Sequence, residues 1–162
     1  MLDTVFEDKL KETLTVCALH HQRMQFAMNT LASFFPLQKA TYDTLAPEQI
    51  SILDQLIFRF SKLQDVIGNK LFKLILSGLG EEVENIPFID ILTRLEKLNL
   101  LEDHSRWLAL RETRNLVAHE YPLYQEEYID GLNELYSWGL ELSEIWLKLK
   151  NFTINRFDLD GQ

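Results

Sequence analysis

Apolar residues recur every three or four positions along most of this chain, which is the period of an amphipathic α-helix. The spacing is most regular from Glu48 to Ser77, and it also predicts a long helix from about Asp3 to Phe34. Alternation of apolar and polar residues does not persist beyond a few positions, so no β-strand is predicted. The apolar series of the Glu48 to Ser77 segment is Ile50, Leu53, Leu56, Phe60, Leu63, Ile67, Leu71 and Leu74.

Proline and glycine residues predict where these two helices begin and end. Pro36 and residues 41–47 interrupt the first helix, and Pro47 is well suited to the first turn of the second. Gly78 and Gly80 then supply a stop for the second helix. A turn or loop is therefore expected between the two helices.

Three further helices are predicted in the second half of the chain. A short helix opens at Pro87 and ends near Asn99. The next begins with Asp103 as its N-cap and stops before Pro122, because a residue that precedes proline disfavours the α conformation. The last helix covers about residues 125–151.

The predicted fold is an all-α antiparallel up-and-down bundle of about five helices. Residues 1–162 are expected to form one domain, since no internal repeat or linker interrupts them. The tail, residues 152–162, has no clear pattern and is expected to fray.

Composition limits the partners that such a bundle can bind. The net charge of −9 repels nucleic acid and anionic membranes, so any site for a polyanion must be a local exception. The chain start lacks the features of a secretory signal, and no apolar run approaches the roughly 20 residues of a membrane span, so a cytoplasmic location is expected. The single cysteine, Cys17, lies among apolar residues and is predicted to be buried and inert.

A local exception to the negative charge lies between His104 and His119. This segment contains Arg106, Arg111 and Arg114 but a single acid. Arg111 and Arg114 are three residues apart, so their guanidinium groups are predicted to reach a common phosphate. The alternative is surface ion pairing with acidic residues elsewhere in the chain. The acid is Glu112.

Helix geometry separates the two most reactive side chains of this segment. Five residues from Arg114 to His119 correspond to a rotation of about 140° and a rise of about 7.5 Å, so the two need not point the same way. Asn115 is four residues before His119 and is predicted to orient the imidazole. A two-fold axis between two copies would combine both side chains in one cleft, in which histidine and arginine support RNA transphosphorylation without a metal.

The segment from Arg114 to Tyr121, Arg-Asn-Leu-Val-Ala-His-Glu-Tyr, resembles the Arg-x4-His-x-Tyr motif of HEPN domains. These are small helical toxins encoded beside minimal nucleotidyltransferase (MNT) antitoxins. The segment from Arg59 to Asp65 is similar to the second-helix segment of the same group. The bundle covers nearly the whole chain, whereas the specific likeness rests on about fifteen residues.

The resemblance implies a toxin that acts as a metal-independent endoribonuclease and a homodimer, without a cofactor. It implies that Arg114 and His119 are catalytic, with Asn115 and Arg111 in supporting roles. It also implies that the MNT antitoxin modifies Tyr121 with AMP, which would block the RNA cleft by bulk and negative charge.

Two other functions stay open at this point. One is a non-catalytic HEPN-like module that binds a nucleotide or a partner protein, and the other is a purely structural dimerising bundle.

The remaining histidines predict no metal site, and the adjacent His20 and His21 are expected to be exposed to solvent. Tyr124 and Tyr128 compete with Tyr121 as modified hydroxyls. The three tryptophans, Trp107, Trp138 and Trp146, are expected in the core.

Overall fold

The computed structural model describes residues 3–119 and 125–159, and every regular element in these two ranges is helical. A 3₁₀ turn, Ala32–Phe34, follows the first helix, and a π-helical turn, Ile67–Leu71, joins the third helix to the fourth. Within the described ranges, no helix combines the length and the apolar character that a bilayer crossing requires. The helices are α1 (Thr4–Leu31), α2 (Lys39–Asp43), α3 (Pro47–Val66), α4 (Phe72–Gly78), α5 (Phe88–Lys97), α6 (His104–His119) and α7 (Gln125–Arg156).

The contacts between α6 and α7 show that these two helices run in opposite directions. Arg106, near the start of α6, forms two hydrogen bonds of 2.5 and 2.6 Å with Glu141. Thr113, two turns later on α6, has its hydroxyl 3.4 Å from Glu134, which is earlier on α7. Residues later on α6 contact residues earlier on α7, so the two helices form an antiparallel pair.

The same reasoning relates α3 to α6. Asp65 of α3 contacts Arg114, whereas Phe72, at the start of α4, contacts Trp107, which is earlier on α6. The α3–α4 segment and α6 therefore run in opposite directions. Helix α1 packs on both α3 and α7 and so closes the bundle. The all-α bundle is confirmed, and in the described ranges it has four long antiparallel helices and three shorter ones instead of about five helices in all.

The core is mainly apolar and holds the largest aromatic side chains. Trp107 and Trp146 are almost completely buried, as predicted, whereas Trp138 is half-buried beneath the guanidinium of Arg106 at 5.3 Å. Cys17 is also buried, and this burial raises the pKa of its thiol to about 12. The prediction of a buried, inert thiol is confirmed, because a protonated thiol is a poor nucleophile.

The predicted helix ends agree closely with the structure. α4 ends at Gly78, and Gly80 adopts a φ of 86° that glycine tolerates without strain. Asn99 follows α5 with a φ of 59°, and the Asp103 carboxylate accepts a hydrogen bond of 2.9 Å from the Ser105 amide. α1 ends at Leu31 and continues only as a 3₁₀ turn, so the prediction of a helix to Phe34 was slightly too long.

The tail differs from its prediction. α7 continues to Arg156, and Phe157 and Leu159 behind it are buried. The Phe157 ring packs edge-on against Phe6 of α1, with 6.1 Å between the ring centroids. Residues 152–159 are therefore packed against the bundle instead of frayed, because two apolar side chains hold them there, and residues 160–162 lie outside the described part.

Candidate functional site

Arg114 lies near the end of α6 and is held by contacts on both of its terminal nitrogens. Nη2 donates a hydrogen bond of 2.7 Å to Asp65 Oδ2 on α3, and Nη1 donates one of 2.8 Å to Asn115 Oδ1. Nε is buried and has no hydrogen-bond partner. The two bonds fix the plane of the guanidinium relative to the last turns of α6.

The Arg114 guanidinium keeps some capacity to bind an anion. A guanidinium has five N–H donors, and the two contacts leave one hydrogen free on each terminal nitrogen. The Arg114 side chain is 26% exposed and that of Asp65 is 33% exposed, so solutes can approach the pair. A phosphate oxygen is the ligand that such a planar donor pair suits best.

Asp65 is a residue of the site to which sequence reasoning gave no role. It belongs to the segment from Arg59 to Asp65 that resembles the second helix of HEPN domains, and that likeness was the available signal. The two partners are 49 residues apart, so no local spacing predicts the contact. Packing of α3 against α6 creates it.

His119 is the last residue of α6, five residues after Arg114. Its side chain and the whole of Tyr121 lie outside the part of the chain that the structure describes. The predicted contact between Asn115 and the His119 imidazole falls there as well. The side-chain oxygen of Asn115 is already engaged by Arg114.

Arg111 and Arg114 do not share a partner in the structure. The Arg111 guanidinium lies 5.4 Å from the centre of the Phe88 ring on α5, in a cation–π arrangement. Arg114 instead contacts Asp65 of α3. The common phosphate site predicted for these two arginines therefore stays a prediction.

The expectation that His20 and His21 are exposed to solvent was wrong. Both are half-buried, because α1 lies between two neighbouring helices and each imidazole faces one of them. His20 Nδ1 accepts a hydrogen bond of 2.9 Å from Arg59 Nη1, since arginine can only donate. His21 Nε2 lies 2.7 Å from Ser143 Oγ on α7. Burial lowers the pKa of both, and Arg59 lowers that of His20 further.

One group of side chains in the described ranges has the spacing of a metal site, although sequence reasoning predicted none. The ligand atoms of Glu96, Asp103 and His104 lie within 4.8 Å of one another. His104 makes two hydrogen bonds to Glu96, from its backbone amide at 2.7 Å and its Nδ1 at 2.6 Å, and these bonds lower the pKa of Glu96. Glu96 and His104 bond to one another, whereas the exposed Asp103 carboxylate accepts hydrogen bonds from Ser105, so the group caps the start of α6.

Comparisons with known protein families, with curated proteins and with solved structures find no match. The chemistry of the described residues is therefore what points to a function. Among the three tyrosines considered as modification sites, Tyr128 is buried and packs edge-on against Tyr42. Tyr121 and Tyr124 lie in the range 120–124, outside the described residues.

Proposed function

We propose that this protein is a toxin of the HEPN type that cleaves RNA without a metal ion, as a homodimer. The observation that carries the proposal is the fixed guanidinium of Arg114, held between Asp65 and Asn115 five residues before His119. A fixed guanidinium beside a histidine supplies both the charge stabilisation and the proton transfer that transphosphorylation needs.

The proposed reaction needs only the RNA and these side chains. A histidine removes the proton of the ribose 2′-OH, and the 2′-oxygen attacks the adjacent phosphorus. The bond from phosphorus to the 5′-oxygen breaks, and a protonated histidine supplies a proton to that leaving oxygen. The products are a 2′,3′-cyclic phosphate and a 5′-hydroxyl, and Arg114 binds the non-bridging phosphate oxygens throughout.

A second copy of the chain completes the proposed site. Arg114 and His119 diverge by about 140° around α6, so one protomer offers the phosphate only part of the set. A two-fold axis near the end of α6 would place two arginines and two histidines in one cleft. One histidine then acts as the base and the other as the acid.

The proposal includes regulation by a nucleotidyltransferase antitoxin that transfers AMP to Tyr121. The tyrosine hydroxyl attacks the α-phosphorus of ATP, and pyrophosphate leaves. The modified tyrosine carries a bulky anion two residues after His119. Like-charge repulsion and steric exclusion then keep the RNA phosphate out of the cleft.

A non-catalytic HEPN-like module that binds a nucleotide or a partner protein is the second candidate. The ion pair between Arg114 and Asp65 favours it, because surface ion pairing explains the same contact without catalysis. In that case the charge of Arg114 is compensated by Asp65 and serves to join α3 to α6.

Cleavage of end-labelled RNA by the purified full chain, in the presence of a chelator, separates these candidates. We expect wild-type protein to produce cyclic-phosphate ends and the His119→Ala and Arg114→Ala variants to lose at least a hundredfold in rate. His104→Ala is the matched control, since it removes a histidine from the other end of α6. Wild-type rates in His119→Ala, or activity abolished by the chelator, would contradict the proposed mechanism. A folded wild-type protein that cleaves no RNA would favour the second candidate.

A further inference from the structure

The groove between α1 and α3 gathers an unusual share of the positive charge of this acidic chain. The chain has 16 lysines and arginines in total and a net charge of −9. Six of the sixteen cations line or border this one groove, which lies on the side of α3 that faces α1. They are Lys9, Arg23, Arg59, Lys62, Lys70 and Lys73.

One end of the groove is a hollow of about 430 Å³ between α1 and the π-helical turn. Lys9 borders it from α1, and Lys70 and Lys73 border it from the opposite side. Among the described residues, Glu12 is the one carboxylate on its wall, and Val16 contributes apolar surface. The hollow therefore combines an apolar floor with a positive rim.

The other end of the groove combines cations with exposed aromatic rings. A hollow of about 340 Å³ is bordered by Arg23 and by Phe26, which is 56% exposed. Phe58, on α3, is 49% exposed. The Arg59 guanidinium and the Lys62 ammonium lie 5.1 and 5.6 Å from the centre of its ring.

Ion pairs between described residues do not neutralise the positive charges of the groove. Across residues 3–119 and 125–159, none of the six cations belongs to an ion pair, whereas Arg106 and Arg114 are both paired with acids. Arg59 donates to His20, which is neutral when it accepts that bond. The six cations outnumber Glu12, the carboxylate that lines the groove, and this excess of positive charge favours an anionic ligand.

We propose that the α1–α3 groove binds single-stranded RNA, with the six cations along its phosphates and the exposed phenylalanines beneath its bases. Cationic grooves interleaved with aromatic side chains are the usual way in which proteins bind unpaired strands. Unpaired bases are required, because a stacked duplex offers no free base face to Phe58. From Gln55 to Lys73 the groove extends over about 27 Å, enough for several nucleotides.

The groove is separate from the motif at the end of α6. On α3, Arg59 faces α1, whereas Asp65 faces α6 and Arg114. Arg59 and Asp65 diverge by about 120° around the helix axis, so the two sites lie on different sides of the same helix. The choice of RNA as the polyanion rests on the proposed ribonuclease function, and the groove supplies the affinity that a protein of net charge −9 otherwise lacks.

Binding is best measured with a fluorescent 2′-O-methylated oligouridine of twelve nucleotides, which has no 2′-OH and cannot be cleaved. We expect the double variant Arg59→Gln/Lys62→Gln of the full chain to bind at least tenfold more weakly than wild type. Its slope of log affinity against log salt should be shallower by about 1.4, for two lost phosphate contacts. Phe58→Ala should weaken binding about fivefold or more with an unchanged salt slope.

A matched double variant, Lys97→Gln/Lys148→Gln, removes two exposed lysines that lie outside the groove. We expect it to keep wild-type affinity within about twofold. Equal losses of affinity in both double variants, or wild-type affinity in Arg59→Gln/Lys62→Gln, would overturn the proposal that the groove binds RNA. Displacement of the RNA by a glutamate-rich peptide, together with no effect of Phe58→Ala, would assign the groove to an acidic protein segment instead.

The same measurement separates this inference from the proposed ribonuclease. If wild type cleaves RNA but the groove variants bind the oligonucleotide normally, only the assignment of RNA binding to the groove is wrong. If groove-dependent binding is found without any cleavage, the strand-binding groove stands and the proposed catalysis fails.

Discussion

The guanidinium of Arg114, on α6, donates a 2.7 Å hydrogen bond to the carboxylate of Asp65, on α3. This bond joins the motif near the end of α6 to a residue 49 positions earlier, and Asn115 holds the other terminal nitrogen. Asp65 therefore acts as a positioning residue for Arg114. In the proposed reaction, Asp65 would act through the orientation of the guanidinium.

Asp65→Asn should lower RNA cleavage at least tenfold while leaving the fold intact. The amide keeps the size of the carboxylate but loses the charge that holds Arg114. An ion pair that is about a third exposed contributes only about 1 kcal/mol or less to stability. The two measurements are the cleavage rate and the free energy of unfolding in urea.

Asp54→Asn provides the control for this variant, because Asp54 is exposed on the same helix. It should leave both the cleavage rate and stability unchanged. Normal cleavage by Asp65→Asn would show that Arg114 needs no fixed orientation, and would count against a catalytic role for this pair.

The helices were predictable because burial on one face imposes the spacing of three or four residues. The spacing was less informative for the exact face of α6, where Leu108 and Leu116 are exposed while Trp107 and Val117 are buried. The π-helical turn was not predicted, since one extra residue in a helical turn hardly changes the apolar pattern. A β-carbon on Gly68 in this turn would lie 3.3 Å from the Trp107 ring, which shows how tightly the turn packs.

The site was only half predictable, for a different reason. Arg114 and Asn115 are neighbours in sequence, so a local motif contains both. Asp65 reaches Arg114, and Arg59 reaches His20, only after helices distant in sequence have packed together. Such contacts are fixed by the arrangement of the bundle, which periodicity alone does not specify.

Gly78→Ala should destabilise the protein by about 1–3 kcal/mol. A β-carbon at Gly78 would lie 2.7 Å from the Phe157 ring and 2.9 Å from that of Phe6, so the packed tail must shift. Gly139→Ala is the comparison, because its closest contact, at 2.8 Å, is the flexible side chain of Met28. We expect Gly78→Ala to lose more stability than Gly139→Ala, and urea unfolding of both variants measures the difference. Equal stability of wild type and Gly78→Ala would argue against the packed tail.

Stability should fall as the pH is lowered from 7 to 5, and His20 and His21 should account for part of the loss. Burial lowers the pKa of both imidazoles in the folded state, and neighbouring cations lower it further. The unfolded chain then binds more protons below its ordinary histidine pKa of about 6.5, so acid favours unfolding. Carboxylates stay largely ionised above pH 5 and contribute little in this window.

Urea unfolding at pH 7 and pH 5 measures this loss directly. The double variant His20→Gln/His21→Gln should lose less stability between the two pH values than wild type does. His104→Gln serves as the control, since it removes a histidine whose Nδ1 contacts Glu96 at the start of α6. An equal pH dependence in wild type and the double variant would exclude these two imidazoles as the cause.

Under the proposed regulation, incubation with the proposed nucleotidyltransferase antitoxin and ATP should raise the mass of the protein by one or more AMP groups. Intact-mass spectrometry measures the increase, and peptide mapping should place it on Tyr121. Tyr121→Phe removes the hydroxyl and should abolish the change, whereas Tyr128→Phe should not, because Tyr128 is buried against Tyr42. Modified wild type should lose RNA cleavage in proportion to its modified fraction, since the added phosphate repels the substrate phosphate. An unchanged mass, or modification that leaves cleavage intact, would remove Tyr121 from the regulatory mechanism.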